Sequence, residues 1–438
     1  MRDIKGRERS SADLRALGAL LAFLVGIVVL VSLAGGCSSD TAGAEGAWEH
    51  EIVEGDGVRT VRTLGGSVWG GEARLEEEAS IGVAEGPDEY LLGSVRSICL
   101  DGGKVYVLDA DVPAVRVYDA SGRHLSDIGR KGSGPGEFDR PSSVRVSPTD
   151  GRLYVRDGSQ GRLNVFAADG SYLETWSLIS GISTSRQMVV TPQGELYSSV
   201  FLPSDDPDEF FKIAMRRMGP REAEGDTIRF PEFDFQEWRI EASSEGSVAI
   251  NGVPFSPQVQ TTFLPSRAVV GGVSTDYRFE VHHPDGRRTV VEKASWDRVP
   301  VDPAESRWYR DRATANMRGI LPGWAWNGPE IPGYKPPFDS FFGDRQGQIW
   351  VWCENAGVPL EGCDPAPEES SRFYSHPCWR QDWRLEVFDE EGRFLGPVAL
   401  PAGIEDFPEP FIDGDRMVAL VTGEDGVPRV KVYRIILP

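Results

Sequence analysis

The sequence predicts an all-β fold, a six-bladed β-propeller with four-stranded antiparallel blades and one helical insertion. Three observations predict it: a repeat of fixed period, many short strand-like segments, and an abundance of turn residues. The chain has 438 residues, of which 50 are glycine, 31 are proline and 10% are aromatic. This composition is typical of short strands joined by tight turns, and the 40% hydrophobic fraction is sufficient for a core.

Two stretches of the chain repeat each other at an offset of 48 residues. Four landmarks recur at this spacing: Gly86–Tyr90 with Gly134–Phe138, Val105–Val107 with Leu153–Val155, Asp109 with Asp157, and Val117–Tyr118 with Val165–Phe166. A fixed period in the forties with strand-like content is typical of propeller blades.

One period contains four strand-like segments separated by turn residues. Ser143–Val146 is the predicted innermost strand and Arg152–Arg156 the second, with Arg162–Phe166 third and Tyr172–Trp176 outermost. Glycine and Asp-Gly pairs lie between them, as in β-hairpins. The segment therefore predicts one antiparallel blade.

The second copy of the repeat resembles an NHL repeat through four segments: Gly132–Pro141, Leu153–Asp157, Arg162–Phe166 and Asp169–Gly170. The upstream copy is a weaker version, so the resemblance covers about a quarter of the chain and implies a propeller. Asp157 and Arg162 match the acidic–basic pair of that family. The resemblance implies that these two side chains form a structural hydrogen-bonded pair that closes a turn.

Four further blades are predicted from strand rhythm and turn chemistry. Their segments are Val189–Tyr197 with Phe211–Met218 and Thr227–Phe230, then Val259–Val291, then Gly343–Trp352 with Arg384–Phe388 and Phe394–Leu400, and finally Phe411–Thr422 with Arg429–Ile436. We expect the N-terminal segment near Trp48–Leu64 to supply the outer strand of the last blade, because such closure removes open sheet edges. The late blades are similar to a group of uncharacterised bacterial six-bladed propeller proteins.

Residues 1–36 resemble a bacterial lipoprotein signal peptide. Basic residues precede the uncharged stretch Ala16–Leu33, and small residues then lead to Cys37. The resemblance implies that Cys37 is lipidated and that residues 37–47 are a flexible tether to the membrane. The alternative is an uncleaved signal anchor, since the apolar stretch nearly suffices to span a bilayer. Both interpretations place the propeller, residues 48–438, outside the cytoplasm, on the outer membrane or the outer face of the inner membrane.

Cysteine usage agrees with export. Cys353, Cys363 and Cys378 lie in a predicted insertion at residues 353–383. A disulfide between Cys363 and Cys378 would close a loop of about 16 residues, which contributes about 3 kcal/mol in the chain-entropy model. Cys99 lies in an apolar strand and is expected to be a buried small hydrophobic residue.

The formal net charge of the chain is −22. An acidic surface repels phosphate backbones, so we expect no nucleic-acid partner. The charge either maintains solubility or attracts cations or a basic partner. We expect the propeller to be monomeric.

The segment Asp302–Gly319 departs from the blade pattern and predicts a helix. It begins with a capping box that has proline in the first turn, and it ends at a glycine. Trp308, Trp324 and Trp326, with Arg307, are a candidate ligand platform suited to sugars or an anionic ligand. The alternative is that the aromatic side chains pin the helix to the propeller between blades four and five.

The sequence contains no recognisable catalytic centre, and we predict no catalytic residue, cofactor or metal ligand. A zinc site like that of the amidating lyase with an NHL propeller would need clustered channel histidines. The five histidines are dispersed: His50, His124, His282, His283 and His376. A calcium site of the gluconolactonase type would use acidic residues at inner-strand ends, and the many acidic residues leave this alternative open.

Three functional hypotheses follow from these patterns. The leading one is a binding or interaction module at the cell envelope, without catalysis, that takes a protein or carbohydrate ligand. The alternative is a metal-dependent hydrolase or lyase, using Ca or Zn, that acts in the propeller channel. A purely structural envelope scaffold is the third.

Overall fold

The computed structural model describes residues 46–178, 187–203, 211–220, 226–363 and 378–438. Three strands precede the first blade: β1 (Glu49–Gly55), β2 (Val58–Gly65) and β3 (Ala73–Ile81). The next twelve strands form three four-stranded antiparallel sheets. Blade 1 has β4 (Val95–Asp101), β5 (Lys104–Asp109), β6 (Ala114–Asp119) and β7 (His124–Ile128). Blade 2 has β8 (Pro141–Val146), β9 (Leu153–Asp157), β10 (Arg162–Phe166) and β11 (Tyr172–Ser177). Blade 3 has β12 (Met188–Val190), β13 (Leu196–Pro203), β14 (Phe211–Arg217) and β15 (Thr227–Arg229).

An extra hairpin lies between blades 3 and 4, made of β16 (Arg239–Ser244) and β17 (Ser247–Gly252). Blade 4 follows, with β18 (Val259–Phe263), β19 (Val269–Val273), β20 (Arg278–His282) and β21 (Arg288–Lys293). Helix α1 (Pro303–Arg318) is the helical insertion. Its N-cap Asp302 accepts a hydrogen bond from the backbone of Ala304, and proline occupies the first turn, which explains why the helix begins there.

Blade 5 contains β22 (Ser340–Gly343), β23 (Ile349–Glu354), β26 (Trp383–Phe388) and β27 (Phe394–Ala399). The short strands β24 (Val358–Pro359) and β25 (Trp379–Arg380) pair within the cysteine insertion. Blade 6 contains β28 (Phe411–Asp413), β29 (Arg416–Thr422) and β30 (Pro428–Ile436), and β3 is its outer strand. Inner strand β28 contacts β4, which closes the ring. The protein is therefore a six-bladed β-propeller with four-stranded blades.

The closing strand differs from the predicted one. The segment near Trp48–Leu64 forms hairpin β1–β2, and β2 pairs in parallel with β21 at the outer edge of blade 4. Strand β3 instead pairs antiparallel with β30. The strand signal of β3 is weak because its centre is polar, and its glutamates are held by basic residues on blade 6: Glu77 lies 2.8 Å from Lys431, and Glu78 lies 2.8 Å from Arg416.

The core is divided among the interfaces between adjacent blades. Six hydrophobic clusters each join two neighbouring blades, and a seventh joins α1 to hairpin β16–β17. Strand β5 shows the principle: Val105 and Val107 face blade 6, whereas Tyr106 and Leu108 face blade 2. Because successive side chains point to opposite faces, each strand buries apolar residues on both sides.

Asp157 and Arg162, the acidic–basic pair of the NHL resemblance, make their hydrogen bonds with other groups than expected. Asp157 and Arg162 lie opposite each other in register, but no hydrogen bond joins their side chains among the described residues. Asp157 accepts a hydrogen bond from the backbone of Asp139, at 2.7 Å. Arg162 donates to three backbone carbonyls of the same loop, Ser133, Gly134 and Glu137. The two side chains therefore hold the loop before blade 2, which explains their structural role.

Candidate functional site

The four residues of the predicted platform are not brought to one exposed surface. Trp308 and Trp324 are buried, with 7% and 4% of their surface exposed. Trp324 packs between α1 and hairpin β16–β17, and its indole N–H donates to the carbonyl of Glu241 at 2.7 Å. Trp326 is half-buried beneath the guanidinium of Arg310, and Arg307 is exposed. The buried tryptophans pin the helix, because a buried indole has no face open to a ligand.

A buried ion-pair triad fastens the insertion to blade 5. The Lys335 ammonium is fully buried and lies 3.1 Å from Glu305 of α1 and 3.0 Å from Glu354 of β23. It also lies 5.0 Å from the ring centre of Phe255. Burial raises the pKa of Glu354 to about 7, against the lowering effect of the Lys335 charge. The triad connects α1 to blade 5 only while all three charged groups are present, because removing one of them leaves an uncompensated charge in the interior.

Three adjoining cavities lie beside this triad, between blade 4, blade 5 and the insertion. Their volumes are about 430, 340 and 140 Å³. The smallest shares Trp296 and Arg298 with the largest, and Phe255 and Pro336 with the second. We call the three together the lateral cleft. Their shared walls make one elongated concave surface, the usual setting of a ligand site.

The middle of the lateral cleft combines aromatic rings with an exposed guanidinium. Trp296 is half-buried, packs with one side against the core between blades 4 and 5, and lines two of the three cavities. The guanidinium of Arg298 lies 5.6 Å from the ring centre of Trp296. Tyr334 is 53% exposed and lines the smallest cavity together with Trp296 and Arg298. Arg298 is exposed and forms no ion pair with any described residue.

Two other cations of the cleft share the carboxylate of Glu386, whereas Asp297 in the same lining forms no ion pair with any described residue. Lys293 lies 2.7 Å from Glu386 and 4.4 Å from the ring centre of Phe394. Glu386 also accepts a hydrogen bond from the hydroxyl of Tyr277 at 2.7 Å, and burial raises the pKa of that hydroxyl. Arg384 lies 3.6 Å from the same carboxylate. Arg298 is therefore the cation of the cleft that is best placed to meet a ligand.

The central channel contains a second, smaller cavity of about 40 Å³. The ring of Phe411 lies there between two guanidiniums, 5.6 Å from Arg145 and 5.4 Å from Arg345. Arg345 donates to Asp101 at 2.7 Å and to Asp413 at 2.8 Å. These contacts join the inner strands of blades 1, 2 and 6 to the turn after the inner strand of blade 5, around the channel axis.

The histidines are dispersed around the molecule. His124 pairs with Asp127 at 2.8 Å, His282 with Glu280 at 3.1 Å, and His283 is buried against Thr289. His50 stacks on Trp48, whereas His376 lies outside the described residues. Over the part of the chain that the structure describes, no group of three or more histidine, cysteine or acidic residues is arranged to hold a metal ion.

The cysteines divide into one disulfide and two thiols. Cys363 and Cys378 are joined by a disulfide, with their Cα atoms 4.7 Å apart. Cys99 and Cys353 are buried thiols, and burial raises the pKa of Cys99 to about 11 and that of Cys353 to about 12. Thiols with such pKa values stay protonated at neutral pH and are poor nucleophiles. Cys37 and the rest of the predicted signal lie outside the described residues, among which no helix is sufficiently long and apolar to cross a membrane.

The fold defines the chain as a six-bladed β-propeller protein, and comparisons agree. Residues 84–199 match the model of a family described as 6-bladed beta-propeller. No protein with a curated description matches the chain. Among solved structures, the chain is similar to a member of the duf4221 family from Bacteroides vulgatus, with 12% identity, a TM-score of 0.45, and 84% of this chain and 99% of that chain covered.

Two further solved structures are similar. One is virginiamycin B lyase from Staphylococcus aureus, with 10% identity, a TM-score of 0.39, and 84% and 100% of the two chains covered. The other is regucalcin, a calcium-binding protein from Agrobacterium tumefaciens, with 14% identity, a TM-score of 0.35, and 84% and 98% covered.

Sequence reasoning missed the residues at the middle of the lateral cleft. Trp296 and Arg298 lie in the linker between the last strand of blade 4 and the helix, where no repeat or motif marks them. The available signal was their position: a tryptophan and an arginine in a connection that departs from the blade pattern. Loops supported by a rigid scaffold are a common place for binding residues.

Proposed function

We propose that this protein is an exported, non-catalytic binding protein of the cell envelope that binds an acidic carbohydrate in the lateral cleft. The observation that carries the proposal is the grouping of Trp296, Arg298 and Tyr334 across adjoining cavities. The propeller fold supports a binding module, since it presents variable connections on a rigid ring.

The cleft chemistry favours a saccharide with carboxylate or sulfate groups. The apolar faces of sugar rings stack on partly exposed aromatic rings such as Trp296 and Tyr334. The guanidinium of Arg298 can donate two parallel hydrogen bonds to a carboxylate or sulfate. The net charge of −22 opposes anionic ligands at long range, but that repulsion is screened beyond about 8 Å at physiological ionic strength. A direct contact with Arg298 therefore determines whether an anionic saccharide binds in the cleft.

The test is binding of oligosaccharides to the full-length protein, kept in a polyoxyethylene detergent that has no sugar head group. The probes are oligosaccharides of hyaluronan, alginate and polygalacturonate, with cellohexaose and laminarihexaose as neutral references. Calorimetry should show that Trp296→Ala weakens binding about tenfold, in line with a stacking contact of about 1.4 kcal/mol. Arg298→Gln should weaken the acidic ligands only.

The matched control is Tyr172→Ala, because Tyr172 is a partly exposed aromatic residue on blade 2, far along the chain from the cleft. It should leave every affinity unchanged. If no probe binds, or if Trp296→Ala behaves like the control, the proposed ligand class is wrong.

The proposed export and membrane attachment rest on residues 1–36, which resemble a lipoprotein signal peptide. Lipidation at Cys37 predicts that Cys37→Ser abolishes lipid labelling and releases the protein from membranes. Membrane retention by that variant would favour the uncleaved signal anchor, and recovery of the wild-type protein in the cytoplasm would contradict export.

The non-catalytic part of the proposal is tested by metal analysis of the purified protein. The competing hypothesis, a metal-dependent hydrolase or lyase in the channel, requires tightly held Ca or Zn. One metal ion per chain that survives dialysis against a chelator would overturn the non-catalytic assignment.

A further inference from the structure

The cavity of the central channel is lined by apolar side chains and by four charged residues, Arg145, Asp344, Arg345 and Glu409. The inner strands of blades 2, 3, 5 and 6 line it, together with the end of the inner strand of blade 4. Its apolar side is formed by Val190, Phe263 and Phe411. Arg145 and Glu409 lie on its polar side. The volume of about 40 Å³ corresponds to about three water-sized positions.

Arg145 is held by the protein at one end of its guanidinium only. Its Nη1 donates to the carbonyl of Val144 at 2.8 Å and to the hydroxyl of Ser97 at 3.2 Å, with a longer contact to the carbonyl of Ile98 at 3.5 Å. No hydrogen bond within the described residues uses its Nε or Nη2, and no described carboxylate lies within ion-pair distance. Two donors of a positioned guanidinium are therefore available in the cavity.

Glu409 shares this cavity and makes no hydrogen bond with any described residue. It lies just before β28, is half-buried, and lines the cavity. This burial raises the pKa of Glu409 to about 7, although the nearby charge of Arg145 lowers it in part. Near neutral pH the carboxyl group therefore takes up and releases a proton readily.

The other charged groups around the channel are already satisfied. Arg345, after β22, is bound to Asp101 of β4 and Asp413 of β28. Asp344 accepts hydrogen bonds from the indole of Trp350 and from two backbone amides, and burial raises its pKa to about 6. Asp339 and Asp406 do not line the cavity, and desolvation raises the pKa of each. Arg345 is a second cation in the cavity lining, but Asp101 and Asp413 match its charge, so we assign the ligand to Arg145, which has no carboxylate partner among the described residues.

We propose that this cavity is a carboxylate-binding site, in which the guanidinium of Arg145 binds the carboxylate of a ligand and protonated Glu409 donates a hydrogen bond to that carboxylate. A guanidinium with two parallel donors suits that planar group. The site does not rest on the carbohydrate proposal, because it shares no lining residue with the lateral cleft.

The proposal couples binding to a proton. An ionised Glu409 would repel a second carboxylate, so the ligand binds together with one proton taken up by Glu409. The affinity should be constant well below pH 7 and fall about tenfold for each pH unit above it. Two sources share this chemistry, a small free acid and the carboxyl end of a longer ligand.

Calorimetry with the full-length protein in the same detergent tests the proposal. Sodium acetate and the tripeptide N-acetyl-Gly-Gly-Gly are the probes, and acetamide and the N-acetyl tripeptide amide are their uncharged counterparts. At about pH 6, where Glu409 is already largely protonated, we expect acetate or the tripeptide to bind with little proton uptake. At about pH 8 we expect weaker binding with uptake of nearly one proton, and the uncharged counterparts should bind at neither pH. Binding of acetate identifies a small acid as the source, whereas binding of the tripeptide alone identifies a chain end. If neither probe binds, or if an uncharged counterpart binds equally well, the proposal is wrong.

Two variants separate this role from a structural one. Arg145→Met should abolish binding, with Arg140→Met on the surface of the same blade as its control. Glu409→Gln should bind at about pH 8 as tightly as the wild type binds at about pH 6, and should take up no proton. Its control is Glu424→Gln, which changes an exposed carboxylate. A Glu409→Gln variant that keeps the pH dependence of the wild type would overturn the assignment even if Arg145→Met failed to fold.

Discussion

At the scale of single residues, Lys335 is the centre of a buried cluster of three charged side chains. It is enclosed by Glu305, Glu354 and the ring of Phe255, and these four groups come from the insertion, from blade 5 and from the link before blade 4. Removing one partner of a buried ion-pair group leaves an uncompensated charge, which costs more than the group contributes when complete. The triad is therefore a sensitive point of the fold.

Lys335→Met should lower the free energy of unfolding by about 3–5 kcal/mol, because Glu305 and Glu354 then lose their shared counter-charge. Urea unfolding followed by tryptophan fluorescence measures the change. Adding Glu354→Gln to the variant should recover part of the loss, since one buried negative charge is removed. The exposed Lys104→Met is the control and should change the free energy by less than about 0.5 kcal/mol. An equal effect of the two methionine variants would contradict the role of the triad.

Single residues also show where sequence reasoning stops. The capping box at Asp302 predicted the helix correctly, because capping is a local interaction between near neighbours. Packing of the aromatic side chains was one of the two interpretations, but the partner of Trp324 was not predictable, because it is a hairpin more than 80 residues upstream. Trp296 and Arg145 gave no signal for the same reason: each acquires its surroundings only when distant strands assemble.

At the scale of elements, the six blades could be predicted from the sequence. The closure of the last blade by an N-terminal strand could also be predicted, but the particular strand could not. Asp-Gly turns and alternating apolar residues define the hairpins locally, which is why blades 1 to 6 lie where the pattern indicates. Hairpin β16–β17 escaped prediction, since it follows neither the repeat nor the blade spacing. The N-terminal closure was assigned to the segment near Trp48–Leu64, whereas β3 performs it by pairing with β30, with salt bridges to blade 6.

The closure can be tested with two isoleucines from the N-terminal strands. Ile81 of β3 is fully buried between blades 6 and 1, whereas Ile52 of β1 is 41% exposed. Ile81→Ala should lower the free energy of unfolding by about 2–5 kcal/mol, since it removes buried methyl and methylene groups and leaves a cavity. Ile52→Ala should cost less than about 0.5 kcal/mol. The midpoints of urea unfolding compare them, and a larger effect of Ile52→Ala would restore β1 as the critical strand.

At the scale of the whole molecule, the carboxyl groups fall into two sets with opposite effects on stability. Burial raises the pKa of Glu354 and of Glu409 to about 7. Hydrogen bonds to their turns lower the pKa of exposed Asp119 and Asp425 to about 2. The first set binds more protons in the folded than in the unfolded protein, and the second set binds fewer. Their pH windows differ, so the two effects are separable.

The stability of the propeller should therefore fall as the pH rises from about 4.5 to about 7. In that window the folded state holds protons on Glu354 and Glu409 that the unfolded state has released, so each added pH unit favours unfolding. The growing net negative charge, −22 at pH 7, acts in the same direction. Below about pH 4 the sign reverses, because Asp119 and Asp425 lose their hydrogen-bonded ionised form. Thermal unfolding followed by circular dichroism should accordingly give a maximum between about pH 4 and 5.

The double variant Glu354→Gln/Glu409→Gln isolates the buried groups from the general repulsion. It cannot release those two protons, so its melting temperature should decline less steeply between about pH 5 and 7 than that of the wild type. The control Glu85→Gln/Glu424→Gln removes the same amount of charge from exposed positions and should keep the wild-type slope, because its carboxylates are not desolvated in the folded state. If both double variants flatten the curve equally, then overall repulsion governs the pH dependence. If only the variant Glu354→Gln/Glu409→Gln flattens the curve, the pH dependence arises from two sites, Glu354 beside the insertion and Glu409 in the channel.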